Sequence, residues 1–494
     1  MTLTGLSFYI FLPICIAVYF FVPARFRYVW LLFCSYYFYC SLDDAFVSLL
    51  IISTIITWLF GDLIHRANGL TLRRVLLALA VIFNIFMLVI YKYENFFLEL
   101  INSDVRLNLI LPAGISFFTF QSLTYVFDIY NGDLEPEKNI FKYALFVSFF
   151  PLILSGPIER AKHLIPQLDL KADFDETRAK EGLTLMLFGY FLKIVIVSRM
   201  TILSDYVFAD YLNKSGVALL IAILAYTLLI YCDFSGYSYI AIGMCRVMGI
   251  EIITNFRQPY FSTSVSDFWR RWHISLSTWF RDYLYIPLGG NRKGRIRKYI
   301  NIMIVFVVSG LWHGANITFV IWGFLNGIYQ VIGDIIKPVK TKISAFIKNP
   351  KAVRVIETTL TFILISFTWV YFRSSSVYEA NTILSRLVSD FRLSNLFDGT
   401  FWNVGLGVNN MIFALFAIVI LVTADVMCEI KKCDVSCILT NVKAPIRWAV
   451  YYTLIIMIVL SLNLNMTEFI YSGFQADYWH KPKKCVFGSL VYII

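Results

Sequence analysis

Two histidines forty positions apart, His273 and His313, are among the few groups in this 494-residue chain that can exchange a proton near neutral pH. The whole sequence holds five histidines. His313 stands in the uncharged apolar run V-V-S-G-L-W-H-G-A-N-I-T-F-V-I-W-G-F-L-N-G, residues 307–327. Trp312 precedes it, and Gly310 and Gly314 bracket it. A neutral imidazole in a low-dielectric site can take a proton from a hydroxyl. Glycines beside it let backbone or substrate come close, and they let helices pack. An ionisable residue inside a membrane is costly and points to function by default. The alternative is a core histidine bonded to a neighbouring helix.

His273 lies in Ser264–Tyr285. Ser264 and Asp267 form an S-x-x-D capping pattern, which starts a helix. Trp269, Trp272, Leu276, Phe280 and Tyr283 recur at helical spacing, with Arg270, His273, Ser277 and Arg281 on a neighbouring face. The pattern predicts an amphipathic helix at the membrane interface or lining a cavity. A plain interfacial helix with snorkelling arginines has the same pattern. The following loop, P-L-G-G-N-R-K-G (287–294), places Asn291 and Arg292 where they can hold an anionic donor. Its basic residues equally fit a cytoplasmic loop. Asp233, in C-D-F-S-G-Y-S, can orient a histidine by accepting its ring N–H, or can pair two helices. Gln121 and Asp128 sit in another apolar run. There is no G-x-S-x-G elbow, so a serine acyl-enzyme is not indicated. No metal-ligand spacing such as H-E-x-x-H occurs, and Cys428, Cys433 and Cys437 lack zinc spacing, so no metal site is expected.

The elements that must carry these residues are membrane helices. The sequence is 59% hydrophobic and 17% aromatic but only 15% charged, with a mean hydropathy of +0.70. A soluble domain of this size cannot hide that much apolar surface. The net charge of +11 sits in short loops between apolar runs, which fits membrane topology and anionic lipid headgroups, and no nucleic-acid motif is present. Apolar runs long enough to span fall near 6–23, 28–42, 45–61, 74–92, 109–130, 140–156, 181–198, 216–248, 300–335, 354–372, 410–427 and 446–464. The 216–248 and 300–335 runs are long enough to tilt, break or re-enter. The expectation is an all-α polytopic protein of roughly ten to thirteen transmembrane or re-entrant helices. The first run reads as a spanning helix, not a cleaved signal. Basic residues after the first and third runs, and the cluster at Arg292, Lys293, Arg295, Arg297 and Lys298, place the N-terminus outside and that cluster in the cytoplasm.

At its polar motifs the sequence resembles the membrane-bound O-acyltransferase family, above all its bacterial alginate O-acetylation branch. The similar segments are 255–260 (N-F-R-Q-P-Y), 268–277 (F-W-R-R-W-H-I-S-L-S), 283–292 (Y-L-Y-I-P-L-G-G-N-R) and 309–316 (S-G-L-W-H-G-A-N). Upstream, 114–121, 155–158 and 233–238 match further blocks. Tyr239 stands where the branch commonly has an acidic residue, Ile317 replaces a usual Trp, and the tail from Ser472 departs.

The resemblance implies one catalytic membrane domain over 1–494. Its core would cover about 109–335, with C-terminal helices 354–464 and an atypical tail 472–494, the helices forming a funnel around a central site. It implies His313 as general base and His273 as a second catalytic group. Trp269, Arg270, Arg271, Asp233, Trp312, Asn316, Asn291 and Arg292 are the candidate substrate or donor contacts. The expected cosubstrate is an acyl thioester, acetyl-CoA or an acyl carrier, with no tightly bound cofactor. The expected partners are membrane lipids, a glycan acceptor and an extracytoplasmic esterase-like acetyltransferase, and the expected location is the bacterial cytoplasmic membrane. D-alanyl transfer to teichoic acid is the alternative chemistry, and an acyl or glycan transporter the alternative without chemistry.

Overall fold

The computed structural model describes residues 1–100, 107, 109–169, 172–347 and 349–462. Among them all regular structure is helical, as a lipid-exposed backbone that must satisfy its own hydrogen bonds requires. Among the described residues, seven helices are long and apolar enough to cross a membrane: Asp44–Arg66, Leu70–Leu98, Glu176–Phe208, Gly216–Met248, Pro350–Arg373, Val408–Lys431 and Ala444–Ser461. Other expected spans are shorter helices, including Leu6–Phe21, Arg27–Cys40 and Ile115–Asn131. The protein is thus an all-α, multi-pass membrane protein. The tail beginning at Ser472, and the family-like residues just before it, lie outside the described residues.

The two long runs resolve differently. Residues 216–248 form one unbroken helix, opened by the Ser215 side chain, which accepts from the Ala218 N–H, and closed by Gly249 in the left-handed conformation at φ 80°. It packs antiparallel on Glu176–Tyr190 through facing glycines. A Cβ on Gly243 would lie 2.4 Å from the Gly182 carbonyl oxygen, and one on Gly189 2.7 Å from that of Gly236. Such close backbone approach is how small residues pack membrane helices.

Residues 300–335 instead divide into Arg295–His313 and Ile317–Ile335, an antiparallel hairpin turning at Gly314-Ala315-Asn316. Gly314 is extended, a conformation open to any residue, so its role is spatial: a Cβ there would sit 2.1 Å from the Phe319 ring. Gly310 and Gly323 bring the two arms together, with hypothetical Cβ atoms 2.3 Å from the Phe319 carbonyl oxygen and 2.2 Å from that of Phe306. Asn316 starts the second arm. Its side-chain oxygen accepts from Thr318 N–H at 2.9 Å, and its amide donates to the Ser375 carbonyl at 2.9 Å.

The expected single helix over Ser264–Tyr285 is corrected. Ser264 does cap its start, accepting from Asp267 N–H at 3.1 Å. The helix stops at Arg271, Trp272 is extended, and His273 takes the left-handed conformation at φ 44°, ψ 55°. A second helix, Ile274–Phe280, then runs into a π-helical turn, Arg281–Tyr285. The break is held by backbone from elsewhere. Ile274 N–H donates to the Asn255 carbonyl at 3.0 Å, and Arg257 N–H to that of Arg271 at 3.0 Å. The Asn255 side-chain oxygen accepts from the Ser275 hydroxyl at 2.7 Å and its N–H at 3.2 Å. Trp269, Trp272, Leu276, Trp279 and Phe280 are all buried while Arg270 and Arg281 are exposed, so the aromatic side of the segment packs into the protein.

Candidate active site

The hairpin turn puts His313 at the C-terminal end of its first arm, 6% exposed. Its ring meets aromatic neighbours edge to face: Trp322 at 5.0 Å and 87°, Phe372 at 5.3 Å and 72°, Trp312 at 4.9 Å and 78°. Trp269 backs this wall, its indole N–H donating to the Asn326 amide oxygen at 3.2 Å and its ring packing on Trp322 at 5.6 Å.

His273 arrives from the broken segment. Its left-handed backbone, a strained region for a residue with a side chain, carries the ring to 4.5 Å from Phe234 and 6.1 Å from Trp312. Both histidines therefore border Trp312, which also packs on Phe117 and Phe120. His273 is 1% exposed, and among the described residues neither of its ring nitrogens has a hydrogen-bond partner. The indole nitrogens of Trp312 and Trp322 share that condition. A buried polar atom left unpaired costs about 1–3 kcal/mol, and most folded chains avoid it. Unpaired buried atoms also occur elsewhere among the described residues, but these nitrogens gather near the His313 ring, where they can serve polar groups of another molecule.

Two residues that sequence reasoning did not single out reach the same point. Lys92 donates to the Trp312 carbonyl at 2.6 Å and to the Ser116 hydroxyl at 3.1 Å, and Tyr93 donates to the Leu311 carbonyl at 2.5 Å. The available signal was a lone lysine in a long apolar helix.

The other candidate residues have different surroundings. Arg271 pairs with Asp267 at 3.1 Å and Glu429 at 2.8 Å, while Arg270 beside it is exposed. Asp233 is buried in an ion pair with Lys193, joining two helices. Asn316 serves as the cap already described. Asn291 and Arg292 are exposed just before the 295–313 helix, whose 19 residues separate them from His313 by about 28 Å along the axis.

The arrangement can take a proton from a hydroxyl at His313 and offer polar contacts from His273 and the indoles, in surroundings that strengthen each contact. Comparison with known proteins supplies the context. A sequence profile of the membrane-bound O-acyltransferase family matches residues 136–377, which include both histidines. The chain is 38% identical over 401 residues to the probable alginate O-acetylase AlgI of Pseudomonas syringae pv. tomato, covering 78% of this chain and 75% of that one. It is 33% identical over 421 residues to the peptidoglycan O-acetyltransferase of Helicobacter pylori, covering 78% and 79%. Similarity to the teichoic acid D-alanyltransferase of Bacillus subtilis is 30% over 238 residues, 45% of this chain and 58% of the other.

Proposed function

The chain belongs to the membrane-bound O-acyltransferase family, and from that membership we propose that it moves acetyl groups from a cytoplasmic thioester to hydroxyls of an exported polysaccharide or cell-wall glycan. His313 is the general base. A thioester is already activated, so the protein has to align it, exclude water and deprotonate the acceptor. The acceptor O–H gives its proton to His313 as its oxygen bonds the acetyl carbon. The C–S bond breaks, and the departing thiolate takes the proton back. His273 contacts donor or acceptor, and the indole N–H groups are candidate donors to the carbonyl oxygen as it gains charge.

The observation that supports this reading is the buried His313 ring set among unpaired polar atoms of His273, Trp312 and Trp322. The acetylating relatives align over most of their length, while the D-alanylating one aligns over little more than half of its own, which favours acetyl over D-alanyl. We place the protein in the bacterial cytoplasmic membrane. The donor is acetyl-CoA or an acyl carrier, and transfer is direct or passes through an extracytoplasmic esterase-like partner.

Deleting the coding sequence from its native host and measuring base-labile acetate and D-alanine on exported glycans tests the proposal. Acetate should disappear and return with the wild-type chain. Loss of D-alanine alone would select the alanylation alternative.

A further inference from the structure

A helix that ends inside a protein leaves its last carbonyls without helical partners. The 295–313 helix ends at His313, where Gly314 is extended, and Gly314 N–H donates to the Gly310 carbonyl at a long 3.4 Å. The next two carbonyls, of Leu311 and Trp312, are taken by Tyr93 and Lys92. These two residues are adjacent in sequence, and neighbours on a regular α-helix do not share a face. They lie in a π-helical turn, Val89–Tyr93, inserted between Leu70–Leu88 and Glu94–Leu100. Turns of this kind are rare and concentrate at functional sites. The Lys92 ammonium also lies 5.6 Å from the Trp312 ring centroid and bonds Ser116 at the start of the 115–131 helix. A cation at the negative end of a helix is electrostatically favoured.

We propose that Lys92 and Tyr93 are positioning residues for the transfer reaction. They clamp the two carbonyls that precede His313 and so fix where the imidazole and Trp312 stand. This rests on His313 being the base. Without the clamp the last turn has two unpaired carbonyls next to the reacting group. It then shifts by an amount small for the fold but large for alignment, where a displacement near 1 Å costs about 100-fold in rate.

The test uses full-length variants in the native host deleted for its own copy. Membrane vesicles from these cells, which carry the acceptor, are supplied with radiolabelled acetyl-CoA. Base-labile acetate on exported glycan is measured in the same cells. Lys92→Met should lower Vmax about 10–100-fold with the KM for acetyl-CoA unchanged and the chain still monodisperse in detergent. Lys92→Arg, which keeps the charge and a donor, should restore most of the rate, and Tyr93→Phe should give a smaller loss. The inference is overturned if Lys92→Met stays within twofold of wild type, if only KM moves, or if both Lys92 variants lose activity in step with loss of folded protein. His313→Ala in the same series separates the two claims. If it remains active, the base assignment fails. If it is inactive while Lys92→Met is normal, only the clamp fails. Should vesicles leave acetyl-CoA unused, the cellular acetate levels of the same variants still decide.

Discussion

His273 has two buried ring nitrogens that find no partner among the described residues, and a backbone conformation that a side-chain-bearing residue adopts where its surroundings hold it. The backbone is held there by the bonds from Asn255 and Arg257, while the unpaired nitrogens fit the contact with donor or acceptor proposed above. Replacement by Asn, which tolerates the left-handed region but is shorter, should shift Tm by no more than a few degrees while reducing acetyl transfer at least about tenfold. Thermal unfolding and acetate release on the same preparation check this, and unchanged transfer would make His273 a packing residue. At this scale the sequence was most legible where ionisable groups interrupt apolar runs, as at His313. It was less legible at Arg271 and Asp233, whose charges are answered by Glu429 and Lys193 from distant segments. Lys92 was missed because a lysine near the end of a long apolar helix also reads as an interfacial anchor.

Among the elements, the 307–327 hairpin matters most, and its arms touch through glycine. Leucine at Gly323 would press its Cβ against the Phe306 carbonyl oxygen, 2.2 Å away, and force the arms apart. Overpacking of this kind costs about 1–3 kcal/mol. Gly323→Leu should therefore lower Tm by several degrees and abolish transfer together, as judged by unfolding in detergent and vesicle assays. Leucine at Gly333, where a Cβ meets nothing, should change neither. The Ser264 cap was readable from four residues. The break at Trp272–His273 was not, because no Gly or Pro marks it and its bonds go to Asn255 and Arg257. Tertiary pairing overrode a sound helical period there. The hairpin turn lay between, since Gly314 and Asn316 punctuate the run without stating that it reverses.

Across the whole molecule, composition alone gave the membrane class and the helical architecture, because the bilayer leaves so few alternatives. The number of spans was less readable, since several apolar runs fold as helices shorter than a bilayer's width. Topology follows from the basic loop before the hairpin. Arg292→Cys, with Cys40, Cys433, Cys437 and Cys485 changed to Ser, should react with a membrane-impermeant maleimide in inside-out vesicles and be protected in right-side-out ones. The reverse pattern would invert the proposed donor route to His313.

The central claim concerns that imidazole. Replacing His313 by Ala in the native host, with the variant shown to be membrane-inserted and monodisperse at wild-type level, and then measuring acetate on the exported glycan, tests it most directly. The account predicts loss of at least about 100-fold, the scale of a missing general base. A folded His313→Ala chain that acetylates at the wild-type rate would contradict it.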